Sequence, residues 1–326
     1  MEILHDSGVD QNVLNGRTIA VIGYGAQGRA QALCMRDSGV NVIIGLRKGK
    51  SFDSAVEDGF EVVDVATASA KADIIHMLLP DETHQEVYEN EIKKNLKPGN
   101  TLSCSHGFNF VFGFITPPAG IDVIMVAPKG PGTEVRKVFV QGFGVPGLVA
   151  VRQDATGKAW DTVLAMSKAQ GLTRGGVLKC TMEQETYEDL FGEQNVLCGG
   201  LVDLMKYGFE TLVEAGYPAE MAYFECVHET KLIVDLIYEG GIQKMNAVIS
   251  NTAEWGEYVN GPRIITPDVK ERMKESLRQI ESGQFAREWI AEARNGAPNL
   301  KRKREELGKH QVEITGAKIR ALFETK

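Results

Sequence analysis

A glycine-rich turn near the amino terminus constrains the fold more than any other feature of this chain. Residues 18–22 are rich in β-branched side chains and lead directly into Gly23-Tyr24-Gly25-Ala26-Gln27-Gly28, where a helical pattern begins. Glycines at this spacing permit a tight turn and let backbone N–H groups approach a pyrophosphate at the helix amino terminus. The motif alone is weakly specific, but the strand before it and the helix after it predict a dinucleotide-binding βαβ unit. We expect all six residues of the turn to bind the cofactor.

The first half of the chain alternates between short apolar strands and helical segments, which is typical of an α/β domain. Strands are predicted at residues 18–23, 41–45, 61–63, 73–79, 101–104, 121–127 and 145–152, and helices at residues 26–37, 65–71 and 155–169. Strands covered by helices on both faces form a doubly wound, Rossmann-type sheet. From about residue 181 only helical periodicity remains. We therefore expect a dinucleotide-binding Rossmann domain over residues 1–181 and an all-α domain over residues 182–326.

The loop after the second predicted strand bears on which dinucleotide binds. NAD-binding domains usually carry an acidic residue here for the ribose hydroxyls. This chain instead has Arg47, Lys48, Lys50 and Ser51, and three cations with a hydroxyl suit a 2′-phosphate. We therefore expect NADPH as the cofactor, although Asp53 just downstream leaves NADH possible. The alternative is a charged surface loop.

Polar residues follow three of the predicted strands. Because ligands of open α/β sheets bind beyond the carboxyl ends of the strands, we expect Asp81, Glu82 and Thr83 to lie beside the cofactor. His106 and Lys129 follow the next two strands and are candidate catalytic residues. His106 could orient the substrate or transfer a proton, or merely cap a turn. Lys129 could neutralise a substrate oxyanion or a cofactor phosphate, or be solvated.

Two pairs of acids in the helical half indicate a metal site. Asp189 and Glu193 are four residues apart, as are Glu225 and Glu229. Positions four apart lie on one helix face, and each pair continues a stripe of valine, leucine and isoleucine that a helix normally buries. Burying these carboxylates is costly without a positive partner, and no Lys or Arg lies on either stripe. Divalent cations with oxygen ligands would fit. Alternatively, either helix could turn its acids to solvent.

Several other polar residues have simpler interpretations. Glu183, Glu185 and Glu188 are expected to form a solvated helix face. His76 lies inside a predicted strand and is expected to be a core histidine. Ser250 offers a hydroxyl to a ligand, but could equally cap a helix near a bend. Helices this apolar, without a sheet to cover them, indicate that the helical half packs against another copy of the chain.

Composition excludes several classes of function. A formal charge of −8 argues against a nucleic-acid partner. The five cysteines are scattered without Cys-x-x-Cys spacing, so neither a disulfide framework nor a thiolate zinc site is indicated. The start of the chain lacks a secretory signal pattern, and no apolar run approaches the roughly 20 residues of a membrane span. We expect a cytoplasmic protein that does not bind membranes.

A series of short motifs occurs in the order and spacing of a known family. The motifs are residues 23–28, 78–81 (Leu-Leu-Pro-Asp), 105–109 (Ser-His-Gly-Phe-Asn), 127–132 (Ala-Pro-Lys-Gly-Pro-Gly), 189–194 (Asp-Leu-Phe-Gly-Glu-Gln), 222–226 (Ala-Tyr-Phe-Glu-Cys), 228–229 (His-Glu) and 250–254 (Ser-Asn-Thr-Ala-Glu). Over nearly its whole length the chain closely resembles the ketol-acid reductoisomerases, the acetohydroxyacid isomeroreductases of valine and isoleucine biosynthesis. Its length resembles that of the short, class I form.

The resemblance implies specific ligands and roles. Two Mg²⁺ ions would be held by Asp189, Glu193, Glu225 and Glu229, with the two pairs meeting across the interface of a homodimer or higher homo-oligomer. His106 would lie in the active site, Ser250 would contact the substrate, and Gly132 would join the cofactor-binding residues. Arg47, Lys50 and Ser51 match the family's 2′-phosphate loop. Catalysis would involve His106, Lys129 and Glu229, the last as a candidate for handling the proton.

The implied reaction is an alkyl migration in 2-acetolactate or 2-aceto-2-hydroxybutyrate, followed by reduction with NADPH to the 2,3-dihydroxy acid. A plain NADP-dependent hydroxyacid dehydrogenase is the nearest alternative, but it would leave the four acids unexplained. A non-catalytic NADPH-binding sensor or assembly protein is a second alternative. It would bind the cofactor without turning over a small-molecule substrate.

Overall fold

The structure, a computed structural model, describes residues 2–323. The chain divides into two units between Glu188 and Asp189. Within the described residues, no helix is long and apolar enough to cross a membrane.

In the described part of the first unit, nine strands form one sheet. They are β1 (Ile3–Leu4), β2 (Thr18–Ile22), β3 (Asn41–Gly45), β4 (Glu61–Val63), β5 (Ile74–Met77), β6 (Thr101–Cys104), β7 (Asp122–Pro128), β8 (Gly147–Gln153) and β9 (Val177–Lys179). Their order across the sheet is β1-β9-β8-β7-β6-β5-β2-β3-β4. Strands β2 to β7 are parallel, whereas β8 runs antiparallel to β7 and β1 antiparallel to β9. The short strands β1 and β9 were not predicted from the sequence.

Helices cover both faces of this sheet. They are α1 (Ala26–Asp37), α2 (Lys50–Glu57), α3 (Val65–Lys71), α4 (Asp81–Val87), α5 (Phe108–Val111), α6 (Gly132–Val140), α7 (Ala159–Ala169) and α8 (Leu172–Gly175). Along β2, Ile19 and Val21 join one apolar cluster while Ala20 and Ile22 join the other, because successive side chains of a strand point to opposite faces. This two-sided burial confirms the predicted doubly wound sheet.

One local prediction about the cofactor loop was wrong. Lys50 and Ser51, expected on a loop, form the first turn of α2. The helix forms because Ala55 is buried and Phe52 packs against the same apolar cluster, which gives a short amphipathic segment an apolar face to bury.

In its described residues, 189–323, the second unit contains helices and no strands, as predicted. Helix α9 (Met182–Gly192) runs across the division between the units, and it is followed by α10 (Gly200–Glu214), α11 (Ala219–Tyr223), α12 (Glu229–Val248), α13 (Asn251–Ile264), α14 (Pro267–Glu281), α15 (Gln284–Arg294), α16 (Pro298–Gly308) and α17 (Gln311–Ala321). A small core brings together Phe209 of α10, Tyr223 of α11 and Ile319 of α17.

Candidate active site

A cavity opens where the strand order of the sheet reverses, between β2 and β5. In the order β4-β3-β2-β5-β6-β7, connections leave these two strands in opposite directions, so a crevice remains beyond their carboxyl ends. The cavity has a volume of about 810 Å³ and is lined by the glycine-rich turn after β2 and by Leu78, Leu79 and Pro80 after β5. A crevice at this place in a doubly wound sheet is the usual site of a dinucleotide.

The glycines of the turn are required by close backbone contacts. Gly23 has φ of +103°, and a Cβ there would lie 2.5 Å from the carbonyl oxygen of Leu78. A Cβ on Gly28 would lie 2.3 Å from the carbonyl oxygen of Gly23. Only glycine therefore allows the turn to pack against the end of β5 while α1 starts directly behind it.

Most of the predicted cofactor residues line this cavity. Those that do are Gly23, Tyr24, Gly25, Ala26, Gln27, Arg47, Lys50, Ser51 and Thr83. Gly28, Asp81, Glu82 and Gly132 are not among the lining residues. Gly132 instead allows α6 to approach the glycine-rich turn, since a Cβ there would lie 2.2 Å from the carbonyl oxygen of Ala26.

The two sides of the cavity differ in charge. Arg47, Lys48 and Lys50 are exposed at the end of β3 and at the start of α2. Glu86 and Glu91 line the cavity from the segment after β5. An anionic group on a bound ligand would therefore be favoured on the side of the three cations.

A buried ionic cluster brings together two of the predicted catalytic residues. The carboxylate of Glu185, in the first turns of α9, is only 1% exposed. Its Oε1 accepts a hydrogen bond from Lys129 Nζ at 2.7 Å, and its Oε2 lies 3.3 Å from His106 Nδ1. His106 follows β6 and Lys129 follows β7, so adjacent parallel strands deliver both side chains to one carboxylate. The cationic Lys129 offsets part of the cost of burying Glu185.

The prediction that Glu185 is solvated was wrong, and this residue was missed as a functional candidate. Met182, Glu185, Thr186 and Leu190 are all buried. Positions i, i+3, i+4 and i+8 share one face of a helix, so the buried stripe of α9 includes Glu185. The apolar Met182 and Leu190 at this spacing were the signal in the sequence that could have revealed it.

Asp189 lies one helical turn beyond Glu185. Carboxylate oxygens of the two residues lie within 4.8 Å of each other, and Asp189 is half-buried. Glu193, the second member of the predicted pair, is exposed and begins a π-helical turn over Glu193–Leu197. Carboxylate oxygens at this separation are hard donors of the kind that divalent cations prefer.

Both predicted acid pairs are associated with π-helical turns. The second turn, Phe224–His228, contains Glu225 and ends just before Glu229. A π-helical turn contains one extra residue, so side chains beyond it are rotated by roughly 100° relative to an uninterrupted α-helix. Such single turns occur frequently at functional sites.

The apolar stripes that continue the acid pairs are not buried within one chain. Leu197, Leu204, Leu232 and Ile237 are exposed, and the buried residue of α10 is Phe209. These stripes, which a helix normally buries, are therefore largely exposed within one chain. Among residues 2–323, no group of three or more metal-binding side chains includes Glu225 or Glu229.

Ser250 and His76 have local roles. Ser250 is the N-cap of α13, and its Oγ accepts a hydrogen bond from the backbone N–H of Ala253 at 3.2 Å. His76 is fully buried in β5, as predicted, with its Nε2 2.8 Å from Gln31 Oε1. Burial lowers the pKa of His76 to about 4, so its ring is neutral near pH 7.

Two models of protein families match the chain. One is described as the NADPH-binding domain of acetohydroxy acid isomeroreductase and matches residues 13–176. The other is described as the C-terminal domain of ketol-acid reductoisomerase and matches residues 182–325. Together the matches cover most of both units in the expected order.

Similar proteins align over the full length of the chain. The ketol-acid reductoisomerase (NADP(+)) of Akkermansia muciniphila is 75% identical over 324 aligned residues, and the alignment covers 99% of each of the two chains. The ketol-acid reductoisomerase (NAD(+)) of the uncultured archaeon GZfos26G2 is 60% identical over 332 residues, with both chains covered to 100%. A solved structure of an NADH-preferring ketol-acid reductoisomerase from an uncultured archaeon has a TM-score of 0.97 at 60% identity, again with both chains covered to 100%.

These matches confirm the resemblance seen in the sequence motifs. The first unit is a nicotinamide-dinucleotide-binding domain, and the relatives include proteins named for NADP(+) and for NAD(+). The chain therefore belongs to the ketol-acid reductoisomerase family, the NAD(P)H-dependent oxidoreductases of branched-chain amino acid biosynthesis.

Proposed function

We propose that this chain is a Mg²⁺-dependent ketol-acid reductoisomerase that prefers NADPH. It converts 2-acetolactate or 2-aceto-2-hydroxybutyrate to the 2,3-dihydroxy acid. The observation that carries this proposal is the buried cluster of Glu185, His106 and Lys129, at the carboxyl ends of strands in the sheet that forms the dinucleotide cavity. Helix α9, which supplies Glu185, continues directly to the acid Asp189.

The donor chemistry fits the implied metal. Asp189 and Glu193 on one helix, and Glu225 and Glu229 on another, offer carboxylate oxygens, the ligands that Mg²⁺ takes in proteins. These four residues would hold two Mg²⁺ ions. The chemistry that bound Mg²⁺ supplies is polarisation of the substrate ketone and acidification of the adjacent hydroxyl. The chemistry that the reduced dinucleotide supplies is hydride transfer.

The residues of the chain position the substrate and its charges. Lys129 is held by Glu185 and places a positive charge beside the carboxylate or oxyanion of a small anionic substrate. His106, beside the same carboxylate, orients the substrate or an ordered water. Glu229 accepts the proton of the substrate hydroxyl, and Ser250 provides a hydroxyl to the bound substrate.

Cofactor preference rests on the cationic side of the cavity. Arg47 engages a 2′-phosphate bidentately, and Lys50 and Ser51 add a second charge and a hydroxyl. The relative at 75% identity is named for NADP(+), which supports this choice, whereas the relative at 60% identity is named for NAD(+).

A second copy of the chain completes the site. Leu197, Leu232 and Tyr238 of the helical unit are 63%, 53% and 89% exposed. Apolar side chains exposed together mark interaction surfaces, and a homodimer or a higher homo-oligomer would cover them. The two acid pairs would then meet across the interface. Sedimentation velocity should give a species of at least twice the chain mass, and a fully active monomer would contradict this arrangement.

The proposal is tested by following NADPH oxidation with 2-acetolactate, with Mg²⁺ and after chelation by EDTA. Turnover should require Mg²⁺ and should collapse in Glu229→Gln. Glu305→Gln is the matched control, since Glu305 is exposed on α16 and, within the described part of the chain, pairs only with Lys309 directly after that helix. Oxidation unaffected by chelation would indicate a plain dehydrogenase. NADPH binding without oxidation would indicate a sensor.

A further inference from the structure

A buried amide lies between the loops that form the candidate active site. Gln31 on α1 is fully buried. Its Nε2 donates hydrogen bonds to Gln27 Oε1 and to Ser105 Oγ, both at 3.0 Å. Its Oε1 accepts from His76 Nε2 at 2.8 Å and from the hydroxyl of Ser105 at 3.2 Å. Every donor and acceptor position of the amide is therefore used.

The partners of Gln31 belong to three separate segments. Gln27 lies in the glycine-rich turn and lines the dinucleotide cavity. Its own Nε2 donates to the carbonyl oxygen of Gly130 at 2.9 Å, in the loop that carries Lys129. Ser105 directly precedes His106. The side chain of Gln31 thus connects the glycine-rich turn with the loop after β6 directly, and with the loop after β7 through Gln27.

The base of this network is rigid. His76 is held in the centre of β5, between β2 and β6, and its neutral ring donates from Nε2. Because Gln31 Oε1 accepts from His76, the Nε2 end of the amide is directed toward Gln27. Fully satisfied buried networks of this kind hold their members in one arrangement, whereas loss of one member leaves several polar groups unpaired in a medium of low dielectric.

We propose that Gln31 is a positioning residue that fixes the position of the loop carrying His106 relative to the glycine-rich turn. It acts through Ser105 and Gln27 and touches neither the substrate nor the cofactor. The inference rests on the proposed function, because the relative position of these loops affects the rate only if cofactor and substrate react between them. Loss of the amide lets His106 and Lys129 shift relative to the dinucleotide, and displacements of about an ångström cost up to 10²-fold in rate.

The test compares Gln31→Met with Gln170→Met in the Mg²⁺-loaded enzyme. Methionine preserves length and apolar volume while removing the hydrogen bonds. Gln170 is the matched control, because it is equally buried in the same unit, but among residues 2–323 its one side-chain hydrogen bond is the weak one from Nε2 to Met35 Sδ. For Gln31→Met we expect kcat to fall about tenfold or more while the KM for 2-acetolactate changes by about twofold or less. Gln170→Met should leave kcat within about twofold of the parent.

Two further measurements separate positioning from general destabilisation. Ser105→Ala should reproduce much of the loss in kcat, and the double variant Gln31→Met/Ser105→Ala should lose little more, since both remove one link. NADPH binding, followed by fluorescence titration, should weaken severalfold in Gln31→Met and not in Ser105→Ala, because Gln31 donates a hydrogen bond to Gln27 whereas Ser105 is linked to Gln27 through Gln31. If Gln31→Met does not fold, Ser105→Ala still tests the link to His106.

The inference is overturned if Gln31→Met keeps the parent kcat, if Gln170→Met loses as much, or if the losses of Gln31→Met and Ser105→Ala multiply in the double variant. Failure of the parent enzyme to turn over 2-acetolactate would instead refute the proposed function. In that case NADPH affinity decides the inference, which fails if Gln31→Met binds NADPH as tightly as the parent.

Discussion

Replacing Glu185 by Gln removes one buried negative charge and keeps the size of the side chain. Lys129 Nζ, 2.7 Å from Oε1, would then face a neutral amide, and His106 Nδ1, 3.3 Å from Oε2, would lose one of the carboxylates near it. Because the Glu185 side chain is only 1% exposed, water cannot replace the lost charge in place. The substitution therefore tests whether this carboxylate holds both residues.

The expected loss of stability follows from the burial of the three groups. Hydrogen bonds to charged groups contribute about 1.5–3 kcal/mol each, and breaking a fully buried ion pair costs about 3–5 kcal/mol. Lys129 is 32% exposed and can turn partly toward solvent, which reduces the cost. We expect the free energy of unfolding to fall by about 2 kcal/mol. For a unit of this size, that change lowers the Tm by about 4–8 °C.

The substitution should also lower kcat, by more than partial unfolding of the variant would account for. His106 and Lys129 would be free to shift by about an ångström, and kcat should fall on the order of 10²-fold at temperatures where the variant remains folded. The KM for NADPH should change little, because Glu185 does not line the dinucleotide cavity.

The control is Glu183→Gln, two residues earlier on the same helix. Glu183 pairs with Arg152 at the surface, where both side chains are at least a third exposed. Such pairs contribute about 0–1 kcal/mol. Urea denaturation and steady-state kinetics with saturating Mg²⁺ should therefore separate the two variants. Equal losses in both, or a Glu185→Gln enzyme with the parent's stability and kcat, would refute the reasoning.

Three other predictions concern the sheet and the cavity. Gly28→Ala places a Cβ 2.3 Å from the carbonyl oxygen of Gly23, so NADPH binding measured by calorimetry should be lost; tight binding would contradict the packing of the turn. Arg47→Ala should raise the KM for NADPH about tenfold and leave that for NADH nearly unchanged, since only NADPH carries the 2′-phosphate; equal effects on both would contradict this role. His76 has a folded-state pKa of about 4, below the unfolded value of 6.5, so the unfolded chain binds more protons between these values. This pKa difference contributes about 3 kcal/mol to the free energy of unfolding; the contribution is complete above about pH 6.5 and is lost as the pH falls toward 4. Urea midpoints should therefore fall with pH over this range, and His76→Gln should make that dependence shallower.

Local patterns in the sequence were sufficient to predict many of the strands and helices of the first unit. Strands β3, β4 and β6 and helix α3 were predicted at their observed bounds, because each combines a short apolar run or period with a glycine or a capping residue at its end. Strands β1 and β9, of two and three residues, were missed. Their antiparallel pairing at the sheet edge is a contact between distant segments.

The candidate site was only partly accessible from the sequence. His106 and Lys129 could be chosen because each follows a buried strand, and parallel strands place such residues at one edge of the sheet. Glu185 was misassigned as solvated, since its neighbours Glu183 and Glu188 are acidic and partly or fully exposed. The apolar stripes beyond Asp189 and Glu225 were extended through π-helical turns, which a strict 3.6-residue period does not anticipate.

The sequence by itself determined the alternation of strands and helices in the first half, the helical second half, the glycine-rich turn and the family, because all of these depend on residues that are close together in the chain. The tertiary structure decided which polar groups meet. Lys129 and Glu185 are 56 positions apart, and Gln31 and Ser105 are 74 positions apart. Contacts over such distances depend on the register of the sheet and on the rotation of each helix about its axis. Those two quantities are set when the two faces of the sheet are buried, and no local pattern specifies them.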